Sequence, residues 1–228
     1  MGLIIGEKAY NVKEMNSSLV GVFEIVVLIF SAVIHEVSHG YAALALGDQT
    51  AKNAGRLTLN PLKHLDPVGS VLVPLGLYLF HSPFIFGWAN PVPYNPYNLY
   101  KDYKYGPLKV ALAGPLANFC LAVIFALVIR VGISFLSPIT VVFLDFVVFI
   151  NCLLMIFNLV PIPPLDGSKV LTVILPSRYS TAIERSGTGG LIFVLLLLFL
   201  FSSVIFSASF YLFQLLTGPA AAGLMGSL

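Results

Sequence analysis

Residues 30–48, FSAVIHEVSHGYAALALGD, place two histidines and a glutamate inside a stretch that is otherwise almost wholly apolar. The apolar run begins near Leu19 and reaches Leu46, which exceeds the roughly 20 residues that a membrane-spanning helix needs. Ionisable side chains are unfavourable inside a bilayer, and those that occur there mark functional sites. We therefore predict that this run is a membrane helix carrying a chemical site.

The composition is that of a membrane protein. Of 228 residues, 58% are hydrophobic and 10% are charged, whereas a soluble domain carries about 25% charged residues. The net charge of +2 is small and the basic residues form no run, which excludes a nucleic-acid partner. The chain is therefore expected to be a multi-pass integral protein with the lipid bilayer as its surroundings.

Apolar segments recur along the chain between short polar loops. They cover about residues 19–46, 68–86, 107–135, 141–160 and 190–216. The second contains Pro74, Gly76 and Pro83, which interrupt helices. The fifth is long enough for one tilted helix or for two short passes. An all-α polytopic membrane fold is therefore predicted.

Basic residues in the loops predict the orientation, because such loops face the cytoplasm. These residues are Lys52, Arg56, Lys63, Lys101, Lys104, Lys109, Lys169, Arg178 and Arg185. Both flanks of the second apolar segment, residues 68–86, are then cytoplasmic. A re-entrant or surface-lying element is therefore favoured there over a short true span.

The motif His35-Glu36-Val37-Ser38-His39 is HExxH. On a helix the two histidines share a face, so their imidazoles can bind one zinc ion, and the glutamate can act as general base. His35 lies about 16 Å along the helix from its end near Leu46. The metal is therefore expected within the depth of the bilayer, nearer the cytoplasmic face.

A catalytic zinc needs a further protein ligand and an open position. Asp166 follows the fourth apolar segment, at the depth and on the side of the histidines. Glu24 is about three turns from His35, and Asp145 lies toward the opposite surface. The loop carboxylates Asp48 and Asp66 stay open as ligands, and His64 and His81 are less favoured additions.

Residues 157–167, FNLVPIPPLDG, contain three prolines, which stop the fourth helix and leave unwound backbone before Asp166. Such backbone is tolerated at membrane depth where it lines protein or water. Asn158 precedes the break, and its amide either contacts a ligand or caps its own helix. In residues 111–120, ALAGPLANFC, Gly114 and Asn118 indicate either close helix packing or a lining of the same cavity.

In this order, HEVSH, AGPLAN and NLVPIPPLDG resemble the site-2 protease family of intramembrane zinc metalloproteases, over about residues 18–175. The loops GRLTLNPLKHLDPVGS and FGWANPVPYNPYN resemble the compact prokaryotic form, which has no PDZ or CBS domain. The family usually has Phe-Gly where this chain has Val37-Ser38, at positions that face away from the metal chemistry.

The resemblance implies one zinc ion per chain, bound by His35, His39 and Asp166, with Glu36 as catalytic base. It also implies that Asn158 helps to hold the substrate, and we add Asn118 as a second substrate contact. It implies a single protease domain over residues 1–228, with a three-helix catalytic core in about 18–175 and C-terminal transmembrane segments in about 189–217. A prokaryotic plasma membrane is the expected location.

The predicted function is cleavage of single-span membrane proteins within or near their transmembrane segments. Residues 56–60, RLTLN, alternate as in a short strand, so a β or re-entrant element after the first core helix is expected to pair with an extended substrate. One alternative is a zinc-binding scaffold without protease activity. Another is a different HExxH protease that uses Glu184 as third ligand. The sequence indicates neither a particular physiological substrate nor an oligomeric state.

Overall fold

Long helices determine the architecture of the computed structural model, which describes residues 17–79, 89–174 and 190–219. In chain order the helices are α1 (Ser17–Leu46), α2 (Thr50–Asn53), α3 (Val73–Leu79), α4 (Gly106–Gly132), α5 (Pro138–Asn158), α6 (Ser168–Ile174) and α7 (Gly190–Thr217). Within the described ranges, four of these helices (α1, α4, α5 and α7) are long and apolar enough to cross a membrane. The predicted all-α polytopic fold is confirmed.

Three of the long helices, α1, α4 and α5, pack against one another, and α7 packs on α5 and α4. Small residues at the α4–α5 contact, such as Ala122 and Ala126, are fully or almost fully buried and let the two backbones approach. Phe149 of α5 contacts Phe206, Phe210 and Phe213 of α7 through their rings. The fifth apolar segment is therefore one continuous helix that covers the three-helix core.

The second apolar segment begins as a π-helix, Pro67–Leu72, and continues as α3. Asp66 caps its start, because its carboxylate accepts hydrogen bonds from the N–H groups of Val68 and Gly69. Together the two elements are shorter than the roughly 20 residues of a span. Residues 80–86 of this segment lie outside the described residues, so the re-entrant geometry stays a prediction.

The short strand expected over residues 56–60 is not formed, and the described residues contain no strand. The only pairing in this part of the structure is an isolated antiparallel bridge between Leu65 and Ala89. Nearby side chains bond to backbone groups of this segment instead. His64 Nε2 donates to the carbonyl of Thr58, and Asn60 caps the following 3-10 turn. The alternation of the sequence predicts a strand, but these hydrogen bonds turn the chain.

Asp48 joins the end of α1 to the loop that precedes α4. It is fully buried, and its carboxylate accepts hydrogen bonds from Thr50, from the N–H of Asn95 and from the amide of Asn98. Burial raises the pKa of this carboxyl, but the hydrogen bonds outweigh it and hold the pKa below its ordinary value. Asp48 is therefore a structural anchor rather than a metal ligand.

Replacing this anchor, Asp48→Ala, is expected to destabilise the protein by about 2 kcal/mol at pH 7, because the hydrogen bonds that several donors make to the buried carboxylate are lost. Since the pKa is lowered on folding, the stabilisation is present above the ordinary pKa of about 3.9 and is lost as the pH falls through the lower folded-state value. Thermal denaturation in detergent should therefore show a gap between wild type and variant that closes in strong acid. Equal melting temperatures at pH 7 would contradict this role.

Candidate metal centre

The middle of α1 presents two imidazoles on one helix face. His35 and His39 are one helical turn apart and are 6% and 8% exposed. Their ring centroids are 4.7 Å apart and the rings are almost perpendicular, at 86°. The helical spacing of the motif therefore brings both rings to one buried position between α1 and α4.

Asp166 reaches this position because α5 ends at Asn158 and the chain then folds back in a series of turns. The turn closes where the N–H of Gly167 donates to the carbonyl of Asn158 at 2.7 Å. A Cβ at Gly167 would collide with the carbonyl of Leu159, so glycine is required for this closure. The helix break predicted from the prolines is thus the feature that delivers the carboxylate.

The carboxylate of Asp166 lies between the two rings. Its Oδ2 is 3.0 Å from Nε2 of His35 and 3.3 Å from Nε2 of His39. Burial raises the pKa of Asp166, but hydrogen bonds and charge from the two imidazoles outweigh it and leave the pKa below its ordinary value. The group is therefore ionised and able to act as an anionic ligand.

The other nitrogen of each ring is held by an acceptor. Nδ1 of His39 is 2.7 Å from the carbonyl oxygen of Val110, and Nδ1 of His35 is 2.6 Å from Oδ1 of Asn118. A hydrogen on Nδ1 leaves the Nε2 lone pair free, and metal-binding histidines are held in this way. Both rings are thus oriented with Nε2 toward Asp166.

Gly114 keeps the space in front of the rings open. A Cβ at this residue of α4 would stand 2.5 Å from Nε2 of both His35 and His39. One ligand atom from each of the two histidines and from Asp166 lies within 4.8 Å of the others. Two imidazole nitrogens and a carboxylate oxygen form a ligand set of catalytic zinc, so the residues present fit that metal.

Glu36 lies beside the first histidine, and its Oε2 accepts a hydrogen bond of 2.9 Å from the N–H of Val92. Because Pro91 and Pro93 have no N–H, Val92 is the single backbone donor of that tripeptide. The loop is held in turn by Arg56, whose Nη2 donates to the carbonyl oxygens of Asn90 and Pro91. This contact was missed in the sequence, although the Pro-Val-Pro pattern could have indicated it.

The two asparagines predicted to bind substrate lie in different surroundings. Asn118 is fully buried, and both ends of its amide are bonded within the protein. Asn158 is half-buried, and its Nδ2 donates to the carbonyl of Leu154 in its own helix. Its Oδ1 has no hydrogen-bond partner within the described part of the chain. Asn118 thus contacts His35 rather than an open cavity, whereas Oδ1 of Asn158 is bonded by no described residue.

The remaining candidate ligands are separate from this centre. His64 is bonded to the carbonyl of Thr58, and Asp66 caps the π-helix. Glu24 and Asp145 are not in the metal-binding group. His81 and Glu184 lie outside the described residues.

Together, the fold and the site define a multi-pass membrane protein with a buried group of two histidines and an aspartate that could hold a metal ion. A family model described as Peptidase family M50 matches residues 133–202. No solved structure matches the chain.

Curated relatives cover more of the chain. "Putative zinc metalloprotease YwhC" of Bacillus subtilis is 37% identical over 180 residues, 76% of this chain and 78% of the relative. "Putative zinc metalloprotease Rip2" of Mycolicibacterium smegmatis is 32% identical, over 79% of this chain and 69% of the relative. "Zinc metalloprotease MJ0392" of Methanocaldococcus jannaschii is 25% identical, over 82% of this chain and 46% of the relative. The chain belongs to peptidase family M50.

Proposed function

We propose that this protein is an intramembrane zinc metalloprotease that hydrolyses peptide bonds within or near the transmembrane segments of single-span membrane proteins. The observation that carries the proposal is the meeting of His35, His39 and Asp166 around one point, with Glu36 beside it, on a helix apolar enough to cross a membrane. We place this activity in a single domain over residues 1–228.

In this proposal His35, His39 and Asp166 hold one zinc ion per chain. When bound, zinc lowers the pKa of a coordinated water to about 7 and polarises the scissile carbonyl group. The protein contributes the orientation of the three ligands, through Val110, through Asn118 and through the turn before Asp166.

Glu36 acts as general base. Its carboxylate takes a proton from the attacking water and later gives a proton to the leaving amine. The hydrogen bond from Val92 holds Oε2 at 2.9 Å, which leaves Oε1 to meet the water. The hydrogen bond from Val92 thus orients the base.

The substrate enters as a helix whose peptide bonds are hidden in internal hydrogen bonds, so it must unwind locally before attack. The unwound turns after Asn158 lead to the carboxylate ligand, and Oδ1 of Asn158, which no described residue bonds, is available to an extended substrate backbone. Water reaches the site from the cytoplasmic side of a prokaryotic plasma membrane, the side to which the positive-inside rule assigns the basic loops.

Cleavage of a single-span test protein in detergent, before and after zinc removal, tests the proposal. We expect cleavage by the purified protein, loss of cleavage with a strong zinc chelator, and recovery when one equivalent of zinc is returned. A protein that binds zinc but cuts none of several single-span substrates would favour the scaffold alternative. Cleavage that survives complete zinc removal would contradict the proposal.

The ligand set is tested by Asp166→Ala, with Glu184→Ala as the comparison. Loss of the carboxylate leaves two imidazoles, so zinc affinity in a competition assay should fall by roughly a hundredfold or more, while Glu184→Ala should bind as wild type does. The reverse pattern would favour the alternative protease in which Glu184 is the third ligand.

The role of Asn158 is tested by Asn158→Ala. If Oδ1 accepts a hydrogen bond from the unwound substrate, kcat/KM of the folded enzyme should fall roughly threefold to tenfold, as expected for the loss of about 1 kcal/mol. Zinc content should not change. A lower melting temperature with unchanged kcat/KM would show that Asn158 only bonds its own helix.

A further inference from the structure

Hydrogen bonds connect the metal centre to the middle of α5, and two of the side chains involved, Asn151 and Ser31, were not singled out from the sequence. The connection runs from His35 through Asn118 to Asn151, with Ser31 of α1 alongside. Asn118 and Asn151 are fully buried, and Ser31 is 4% exposed. A buried amide in an apolar helix needs a reason, because its polar groups have no water to bind.

Which amide atoms donate and which accept along this connection is determined at Asn151, the residue farthest from the metal centre. Nδ2 of Asn151 is 2.8 Å from the carbonyl oxygen of Val147 and 3.0 Å from Oγ of Ser31. A carbonyl oxygen only accepts, so the amide nitrogen of Asn151 must face Val147. Its Oδ1 therefore points toward α4 and can only accept there.

The accepting Oδ1 of Asn151 determines the orientation of the Asn118 amide. Nδ2 of Asn118 donates to Oδ1 of Asn151 at 2.9 Å and to the carbonyl of Ser31 at 3.3 Å. Both hydrogens of this amide are thus used on one side, and Oδ1 is left to face Nδ1 of His35 at 2.6 Å. An oxygen at this distance requires a hydrogen on Nδ1, which leaves the Nε2 lone pair free.

We infer that Asn151 is a positioning residue: through Asn118 it fixes the hydrogen of His35 on Nδ1, so that Nε2 is free to bind the metal. The inference rests on the proposed zinc site. Asp166 favours the other tautomer of His35. Its Oδ2 lies 3.0 Å from Nε2 of His35 and attracts a hydrogen to that nitrogen when no metal is bound. Without Asn151, only the longer bond to the carbonyl of Ser31, at 3.3 Å, opposes rotation of the Asn118 amide, so a rotated amide that offers a donor to Nδ1 becomes populated. The hydrogen then moves to Nε2, where it blocks the ligand atom.

The experiment uses the full-length protein with Asn151→Leu, and Asn151→Ala alongside in case leucine does not fit. Ser31→Ala is the matched control, because it removes a hydrogen bond of the same network but leaves both direction-setting carbonyls. The first measurement is ¹⁵N-histidine NMR of the metal-free protein at alkaline pH, which locates the hydrogen on each ring. The second is zinc affinity by competition with a chromophoric chelator.

We expect the His35 hydrogen on Nδ1 in wild type and in Ser31→Ala, and a large population on Nε2 in the folded Asn151 variants. Zinc affinity should fall roughly tenfold to a hundredfold in those variants, as for other outer partners of metal-binding histidines. Adding Asn118→Asp should restore much of it, because a carboxylate only accepts.

A folded Asn151 variant with the wild-type tautomer and wild-type zinc affinity would overturn the inference. If the tautomer shifts as expected but no form of the protein binds zinc, the positioning role stands and the proposed function fails. The two measurements therefore separate the inference from the function on which it rests.

Discussion

Gly114→Ala is expected to abolish stoichiometric zinc binding, although it adds only one methyl group. The new Cβ would stand 2.5 Å from Nε2 of both His35 and His39, whereas carbon and nitrogen atoms in contact sit about 3.5 Å apart. The methyl group would cover the two nitrogens that the metal needs. If α4 moved away to relieve the overlap, it would carry Val110 and Asn118 away from the rings that they orient.

The test measures the zinc content and zinc affinity of Gly114→Ala and compares them with those of wild type and of a control variant, Gly21→Ala. The control makes the same change on α1, where a Cβ meets nothing within 4 Å, so it should bind zinc as wild type does. Helical content by circular dichroism should be the same in all three proteins. A Gly114→Ala protein with one tightly bound zinc and normal cleavage would show that the metal lies elsewhere.

Glu36→Gln is expected to lower the cleavage rate by roughly a hundredfold to ten-thousandfold while leaving zinc binding unchanged. Glutamine keeps the shape of the side chain and keeps an oxygen for the hydrogen bond from Val92, but it cannot accept a proton at neutral pH. The loss should therefore fall on kcat, as for the removal of a general base.

The matched control for this change is Glu24→Gln, which alters the other glutamate of α1, on a part of the helix away from the metal ligands. It should cleave as wild type does. Equal cleavage rates for wild type and Glu36→Gln would exclude Glu36 as the base, and a loss of zinc in Glu36→Gln would give it a structural role instead.

Much of the fold was predictable because membrane helices have a strong sequence signal. Long apolar runs predicted the four long helices of the described residues to within three residues at each end, and the prolines after Asn158 predicted the break that delivers Asp166. The grouping of His35 and His39 followed from helical periodicity alone. These features depend on local sequence, which is why the pattern was sufficient.

Features that depend on contacts distant in sequence were not predictable. The hydrogen bond from Val92 to Glu36 and the bond from Asn118 to Asn151 join separate elements of the chain. The alternation in residues 56–60 predicted a strand, which was wrong. The pattern of these five residues does not reveal that His64 bonds to the carbonyl of Thr58. Gly114 was noted for helix packing or as a cavity lining, but its nearness to two imidazoles required the structure.

The central claim is that zinc held by His35, His39 and Asp166 directs hydrolysis of a peptide bond within the membrane. The most direct measurement is to cleave a single-span substrate in lipid nanodiscs in ¹⁸O-labelled water and to locate the cut by mass spectrometry. The account predicts a cut within or near the transmembrane segment, with one ¹⁸O in the new carboxyl group, and no product from Glu36→Gln or from zinc-free protein. A cut confined to the water-exposed part of the substrate, or one that persists without zinc, would contradict it.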